Sequence, residues 1–296
     1  ITNKRKITKP VLIREVANEL KTSVGPLNRL IYGKDNDIPI PILKRLLIKS
    51  GLKRIILKDF FRDADFIFTS RRDKVRVVKR VDKDLAEIMG AFAADGNLTV
   101  LTRIYAIQKE ILERIIKKYN LSVKIQRDRD KFFIRTSKIS LRTLQEIKRD
   151  NTIIYSLSYL FEIVDADKTA VEIIYDKISR LFGINGRIYF KNGAWSFRTY
   201  NKILVRYFRL FGFWYGNKTE TVREPPILKD SSLKIKEAFV RGVFTFDGSV
   251  KYSGDITVTL KSEFLIEDIS KILARLGIKN DYYSKNGMHT LMIDKS

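Results

Sequence analysis

Cysteine is absent from the 296-residue chain, so it can build no disulfide framework, thiol nucleophile or cysteine-based zinc site. Histidine occurs once, at His289, which rules out a cluster of histidine ligands. Acidic residues are scarce beside basic ones: 34 Asp and Glu face 58 Lys and Arg, a formal net charge of +24 and a pI near 10.0. Such an excess destabilises the compact state through self-repulsion, and a polyanionic partner is its usual reason. A solubility adaptation explains it less well, because added acids serve solubility better. No apolar run reaches the roughly 18 residues of a membrane span, so no membrane segment is expected, and a cytoplasmic, nucleoid-associated prokaryotic location is. Abundant Ile, Lys and Arg without Cys points to a hyperthermophile source. The chain opens at Ile1 without Met and closes at Ser296 just after an expected strand, so both ends are expected to be cut from something longer. The length predicts two or three domains.

What is present is organised around one stretch and its echo. Leu85 to Gly96 reads LAEIMGAFAADG, and Ala238 to Gly248 reads AFVRGVFTFDG. Each is apolar or small for about ten positions, has no Pro, and stops at Asp-Gly, which predicts a buried helix ending in a carboxylate. Ala86, Gly90 and Ala94 recur every fourth residue and place small side chains on one helical face, where another backbone can approach; Ala238 and Gly242 repeat this. Two such helices packed face to face would bring Asp95 and Asp247 together at one end. Facing carboxylates repel unless a hard cation neutralises them, which points to Mg2+ or Mn2+. The plainer alternative is that each Asp-Gly only ends a helix or begins a turn.

GAFAADG at 90 to 96 and GVFTFDG at 242 to 248 resemble the paired signature helices of the LAGLIDADG homing endonucleases, of the archaeal single-chain type. The resemblance covers roughly residues 83 to 295. It implies an α+β fold of two pseudo-symmetric αββαββα repeats forming a DNA-binding saddle, and metal binding by Asp95 and Asp247. The implied activity is metal-dependent, site-specific double-strand cleavage at a long recognition site, leaving 3′ overhangs, by a monomer acting on double-stranded DNA. Family members place a basic residue near each active site. VTLKSEFLIEDI resembles the strand-to-helix junction concerned, giving Lys261 for the second repeat; Lys168 in DADKTAVEII or Lys109 in AIQKEILERI, with Gln108 alongside, serves the first. A rival reading is a regulator or intron maturase that keeps the saddle and does not cut. Intein-derived, intron-encoded and free-standing origins stay open.

Taken in order, residues 1–54 read as a helical unit. REVANELKTSVGPLNRLIYGK resembles the helix-turn-helix of the Cro and repressor family, with Ser23, Asn28 and Arg29 on or near the helix that would enter a major groove. The alternative is a small helical bundle that touches no DNA. Residues 55–82 form a basic linker with short strands at FIF and VRVV. The first repeat is assigned to 83–220 and the second to 221–296. Each holds a helix followed by a hairpin whose turn is Lys-Asn-Gly, at 191–193 and 285–287. A block near 104–150 reads as strand, helix, hairpin and helix without a signature helix. Either it is inserted in the first repeat, or it completes that repeat and 151–212 is the extra unit. The twin Lys-Asn-Gly hairpins and the Glu-Pro-Pro-Ile connection favour insertion; the 13-position spans Gly96–Lys109 and Gly248–Lys261 favour the other.

Antiparallel ribbons fit the major groove and offer alternate side chains to the bases. The candidates are Arg187, Tyr189, Lys191, Arg198 and Tyr200 in the first repeat, and Thr257, Thr259, Asn280, Tyr282 and Lys285 in the second. Alternation leaves open which face is core.

Overall fold

Two helices of small and apolar residues form the middle of the fold. The computed structural model describes residues 66–68, 74–139, 141–147, 153–216 and 219–295. Residues 1–54 with Ser23, Asn28 and Arg29, and part of the linker 55–82, lie outside the described residues. Elements are numbered here in chain order among those described.

After the two-strand ribbon β1 (Phe66–Phe68) and β2 (Lys74–Arg76), helix α1 (Lys83–Asp95) starts where Asp82 accepts a hydrogen bond from the Leu85 amide at 2.8 Å. Its counterpart is α6 (Leu233–Asp247). The two pack backbone to backbone. A Cβ at Gly90 would lie 2.0 Å from the Phe239 carbonyl oxygen and 3.0 Å from the Val243 nitrogen. One at Gly242 would lie 2.2 Å from the Glu87 carbonyl oxygen and 2.8 Å from the Ala91 nitrogen. Each glycine thus meets the oxygen three residues before the other glycine and the nitrogen just after it, which is the signature of a local twofold axis. Asp95 and Asp247 each stand five residues beyond the close-contact glycine and end their helices.

Each helix feeds a sheet. The first sheet has the order β4-β5-β3-β6-β8-β7, with β3 (Gly96–Ala106), β4 (Gln126–Asp128), β5 (Lys131–Thr136), β6 (Ile153–Asp165), β7 (Arg187–Lys191) and β8 (Ala194–Thr199). The second has the order β11-β12-β10-β9, with β9 (Gly248–Val250), β10 (Ile256–Leu260), β11 (Asp281–Lys285) and β12 (Met288–Ile293). Strands β3, β6, β8 and β7 therefore repeat as β9, β10, β12 and β11. Helix α4 (Lys168–Phe182) matches α7 (Glu263–Arg275) between the second and third strands in sequence. In both hairpins the turn residues have positive φ, 55° and 80° at Asn192-Gly193 and 53° and 72° at Asn286-Gly287, as a two-residue I′ turn needs. The fold is α+β, built from two pseudo-symmetric repeats.

The chain between β3 and β6 holds α2 (Lys109–Lys118), the β4–β5 hairpin and α3 (Leu141–Ile147). Strand β5 pairs with the far half of β3, Thr102 to Ala106, so the block widens the first sheet by two strands at its outer end. It has its own core of Ile104, Ile111, Leu112, Ile134 and Leu144. The larger core gathers both repeats around Phe92, whose ring lies 5.0 Å from Phe161, 4.7 Å from Phe208 and 4.8 Å from Phe213. Helix α5 (Lys202–Leu210), capped by Asn201, supplies Phe208.

Candidate functional site

Strand register assigns every sheet residue to a face, which sequence alternation alone leaves open. In the first sheet the core members Leu98, Ile104, Ile134, Phe161, Ile163 and Phe197 all fall on one face. The opposite face carries cross-strand rows: Arg187, Arg198, Glu162 and Asn97 in one, Tyr189 with Ser196 in the next, then Lys191 with Ala194. Tyr200, just beyond β8, has the same parity and is 56% exposed. All five residues singled out in the first repeat share this open face.

In the second sheet Val258 and Leu291 mark the core face. Thr257 and Thr259 lie on the other, beside Met292 and Thr290, and Lys285 lies there opposite Met288. Thr259 shares a 3.0 Å hydroxyl–hydroxyl hydrogen bond with Thr290, and Thr257 one of 2.9 Å with Ser249. Tyr282 and Asn280 depart from the sequence expectation. Tyr282 pairs with Leu291 and so falls on the core side, while the Asn280 side-chain amide donates to the Ser270 and Ile278 carbonyls and secures the end of α7. Tyr283, opposite Thr290, is the tyrosine on the open face. The ring nitrogen Nδ1 of His289 is 2.7 Å from the Ser284 hydroxyl.

At the joint between helices and sheets, Asp95 and Asp247 are each followed by a glycine that opens a strand. Gly96 faces Ile163 and Gly248 faces Val258. Those registers align the two strand-to-helix junctions. Three residues beyond Val258 stands Lys261, followed by the α7 cap Ser262; three beyond Ile163 stands Ala166, followed by the α4 cap Asp167. Lys261 therefore has no lysine counterpart in the first repeat. Lys168 lies two positions later, as the first residue of α4, where it pairs with Glu172 at 2.8 Å and sits 5.2 Å from the Trp195 ring centre. Gln108 caps α2 and Lys109 starts it, pairing with Glu113 at 3.0 Å. Strand β3 separates both from Asp95 by its whole length, roughly 30 Å at 3.3 Å per residue. The structure thus keeps Lys261 at a helix-end junction and does not bring Gln108 or Lys109 to one.

Two charged contacts had no sequence signal. Glu162 stands in the apolar run YLFEIVD, yet its carboxylate lies 2.5 Å from the Arg198 Nε on the open face, with Arg198 over the Tyr189 ring at 5.8 Å. Glu87 sits inside the first signature stretch and is 7% exposed. It accepts from Arg241 of α6, at 3.0 Å from Nε, and lies 2.6 Å from the Lys177 ammonium of α4. Burial pushes its pKa up, but the Arg241 and Lys177 hydrogen bonds and their charges outweigh that and hold it below its ordinary value of 4.5. Asp165, partly buried beside the first junction, is pushed up chiefly by desolvation although it accepts from the Asp167 amide.

Residues 234–295, from α6 to β12, match the sequence profile described as a LAGLIDADG-like domain. No match is found among curated proteins. Among solved structures the chain is similar to I-DmoI in complex with DNA and Mn, at 14% identity, covering 73% of this chain and 91% of that one, with a TM-score of 0.40. It is also similar to full-length WhiA from Thermatoga maritima, at 11% identity over 81% of this chain and 56% of that one, TM-score 0.39. The N-terminal LAGLIDADG domain of WhiA gives 12% identity over 81% of this chain and 82% of that one, TM-score 0.39.

Proposed function

We propose that the chain is a site-specific, divalent-metal-dependent DNA endonuclease of the LAGLIDADG type, whose two repeats act as the halves of one duplex-binding surface. One observation carries this reading: two helices packed backbone to backbone about a local twofold each end in an aspartate, Asp95 or Asp247, five residues past the contact, and each continues directly into a sheet with one polar face. Among the described residues no three His, Cys, Asp or Glu side chains cluster into a metal cage. Two hard carboxylates and little else suit Mg2+ or Mn2+, which keep several waters and complete their shell with substrate phosphates. Asp95 and Asp247 would hold such an ion, which when bound would make water nucleophilic and stabilise the leaving oxygen.

The chain's own groups do the rest. Arg187, Lys191, Arg198 and Lys285 draw the phosphates onto the open faces. Tyr189, Thr259 and Tyr283 present hydroxyls to base edges, while Thr257, buried and bonded to Ser249, supports the strand beneath them. Glu162 holds Arg198 in a fixed direction over Tyr189. Lys261 places a cation at the junction beside the second helix end. Residues 1–54, whose sequence resembles a helix-turn-helix, would add affinity or site length.

The test is cleavage of a randomised duplex library in Mg2+ by the intact chain and by Asp95→Asn and Asp247→Asn. Specific cutting that either substitution abolishes, with binding retained, supports the proposal. A second reading, a DNA-binding protein that does not cut, is favoured by Ala166 standing where the second repeat has Lys261. It takes over if a site is selected but not cut in Mg2+ or Mn2+.

A further inference from the structure

The α2–β4–β5–α3 block has no counterpart in the second repeat, and among the described residues its sheet is covered on one side only. Ile104, Ala106, Ile134 and Ile153 turn to α2 and α3 and form the small core. By register the other face presents Arg103 opposite Arg135 and Ser156, Tyr105 opposite Phe133 and Ile154, and Lys131 opposite Asp128. No member of either core comes from this face. It is also the face that carries Asn97, Glu162, Arg198 and Arg187, because β3 and β6 run unbroken from the helix end to the block. The same face therefore continues from the shared half of the first sheet onto the added strands, through the rows Thr99 with the buried Leu160 and Leu101 with Ser158.

The chemistry of the extension matches that of the shared part. The guanidinium of Arg103 sits 5.9 Å from the Phe133 ring centre, and the Tyr105 ring lies tilted beside the same ring at 5.6 Å. This fixes an arginine in direction at the surface, with an exposed second arginine, Arg135, directly across. Arg103 lies six positions along β3 from Asn97, roughly 20 Å. That is the rise of about six base pairs of B-form duplex.

Resting on the endonuclease or DNA-binding reading above, we infer that the inserted block is an additional duplex-contacting surface, with Arg103, Arg135 and Lys131 holding phosphates beyond the first half-site. The DNA footprint is then longer on the side of the first repeat than on the side of the second. The second repeat, whose β9 and β10 are short and carry no added strands, ends its contact surface near β11.

The experiment is hydroxyl-radical footprinting of the full chain, in Ca2+, on a duplex that the chain itself selects from a randomised pool. It is run beside Arg103→Ala/Arg135→Ala and the charge-preserving Arg103→Lys/Arg135→Lys, with the salt dependence of affinity for each. The expected result is a lopsided footprint whose outer end is lost in the alanine variant and kept in the lysine variant. The slope of log K against log salt falls by about 2 for the alanine pair, close to 0.9 for each phosphate contact removed. A footprint of equal length on both sides, or a lopsided one unchanged by the alanine pair, overturns the inference while DNA binding stands. Absence of protection on every duplex overturns the DNA-binding reading itself, and the inference with it.

Discussion

A methyl group added at Gly90 would sit 2.0 Å from the Phe239 carbonyl oxygen, and one at Gly242 2.2 Å from that of Glu87. Both obstacles are backbone, so the helices must separate. Overpacking of this kind costs about 3 kcal/mol. We predict that Gly90→Ala and Gly242→Ala each lower Tm by roughly 6–12 °C in a thermal melt. If either variant melts with the parent, the helices are not in the contact described. Glu87 is the other residue on which this contact depends. Its carboxylate joins α1 to α6 through Arg241 and to α4 through Lys177, with Asp84 a further 3.5 Å partner of Lys177. Removing one member of a buried ion pair leaves the others uncompensated, so Glu87→Gln is expected to cost about 3 kcal/mol at neutral pH. Since the folded pKa lies below the ordinary 4.5, this stabilisation is complete above 4.5 and fades as pH falls through the lower folded value. Denaturant titrations should therefore show the two proteins converging below pH 4.5; a gap independent of pH would mean the effect is packing alone.

At the scale of elements, each hairpin depends on its two-residue turn. Asn192-Gly193 and Asn286-Gly287 all have positive φ, and nothing within 4 Å would obstruct a Cβ at either glycine. The cost of replacing them is therefore conformational. We predict that Ala-Ala in place of Asn286-Gly287 destabilises by about 2–4 kcal/mol, at 1–2 kcal/mol for each residue forced into the left-handed region. Equilibrium unfolding in urea would measure it, and a change under about 0.5 kcal/mol would show that the turn relaxes into another form. These turns were legible in the sequence because Asn-Gly is itself the physical requirement. The ends of both signature helices were legible for the same reason, as Asp followed by Gly. The partition of residues 104–212 was not, since two strand-helix-hairpin series fit one periodicity equally well. In the structure Gly96–Ala106 pairs along its whole length with Ile153–Ile163, and Lys109–Ile147 hangs from the far end.

Across the whole molecule, the net charge of +24 predicts binding governed by released counterions. Affinity for duplex DNA should fall by about 1,000-fold or more between 50 and 200 mM salt, as for a protein holding at least six phosphates. A weak salt dependence would mean the basic residues are spread without forming one surface. Asp95→Asn and Asp247→Asn should bind duplex at least as tightly as the parent in metal-free buffer, because each removes a negative charge from the approach of phosphates. Among the described residues no helix is long and apolar enough to cross a membrane.

The chain by itself determined the chemistry on offer: no thiol, one imidazole, an excess of cations, two small-residue stretches ending in Asp-Gly, and two Asn-Gly hairpins. Those follow from composition and from local rules that act within a few residues. Only the tertiary structure decided which face of each strand is open, because alternation has two equivalent phases and burial against a helix chooses between them. That choice set Tyr283 beside Thr290 and Tyr282 on the opposite face, in register with the core residue Leu291 though itself exposed, and it put Glu162 among the cations of the open face. It also placed Ala166, not Lys168 or Lys109, opposite Lys261 under the local twofold. Position relative to a symmetry axis is fixed by strand register and helix packing, long-range contacts that no local spacing encodes.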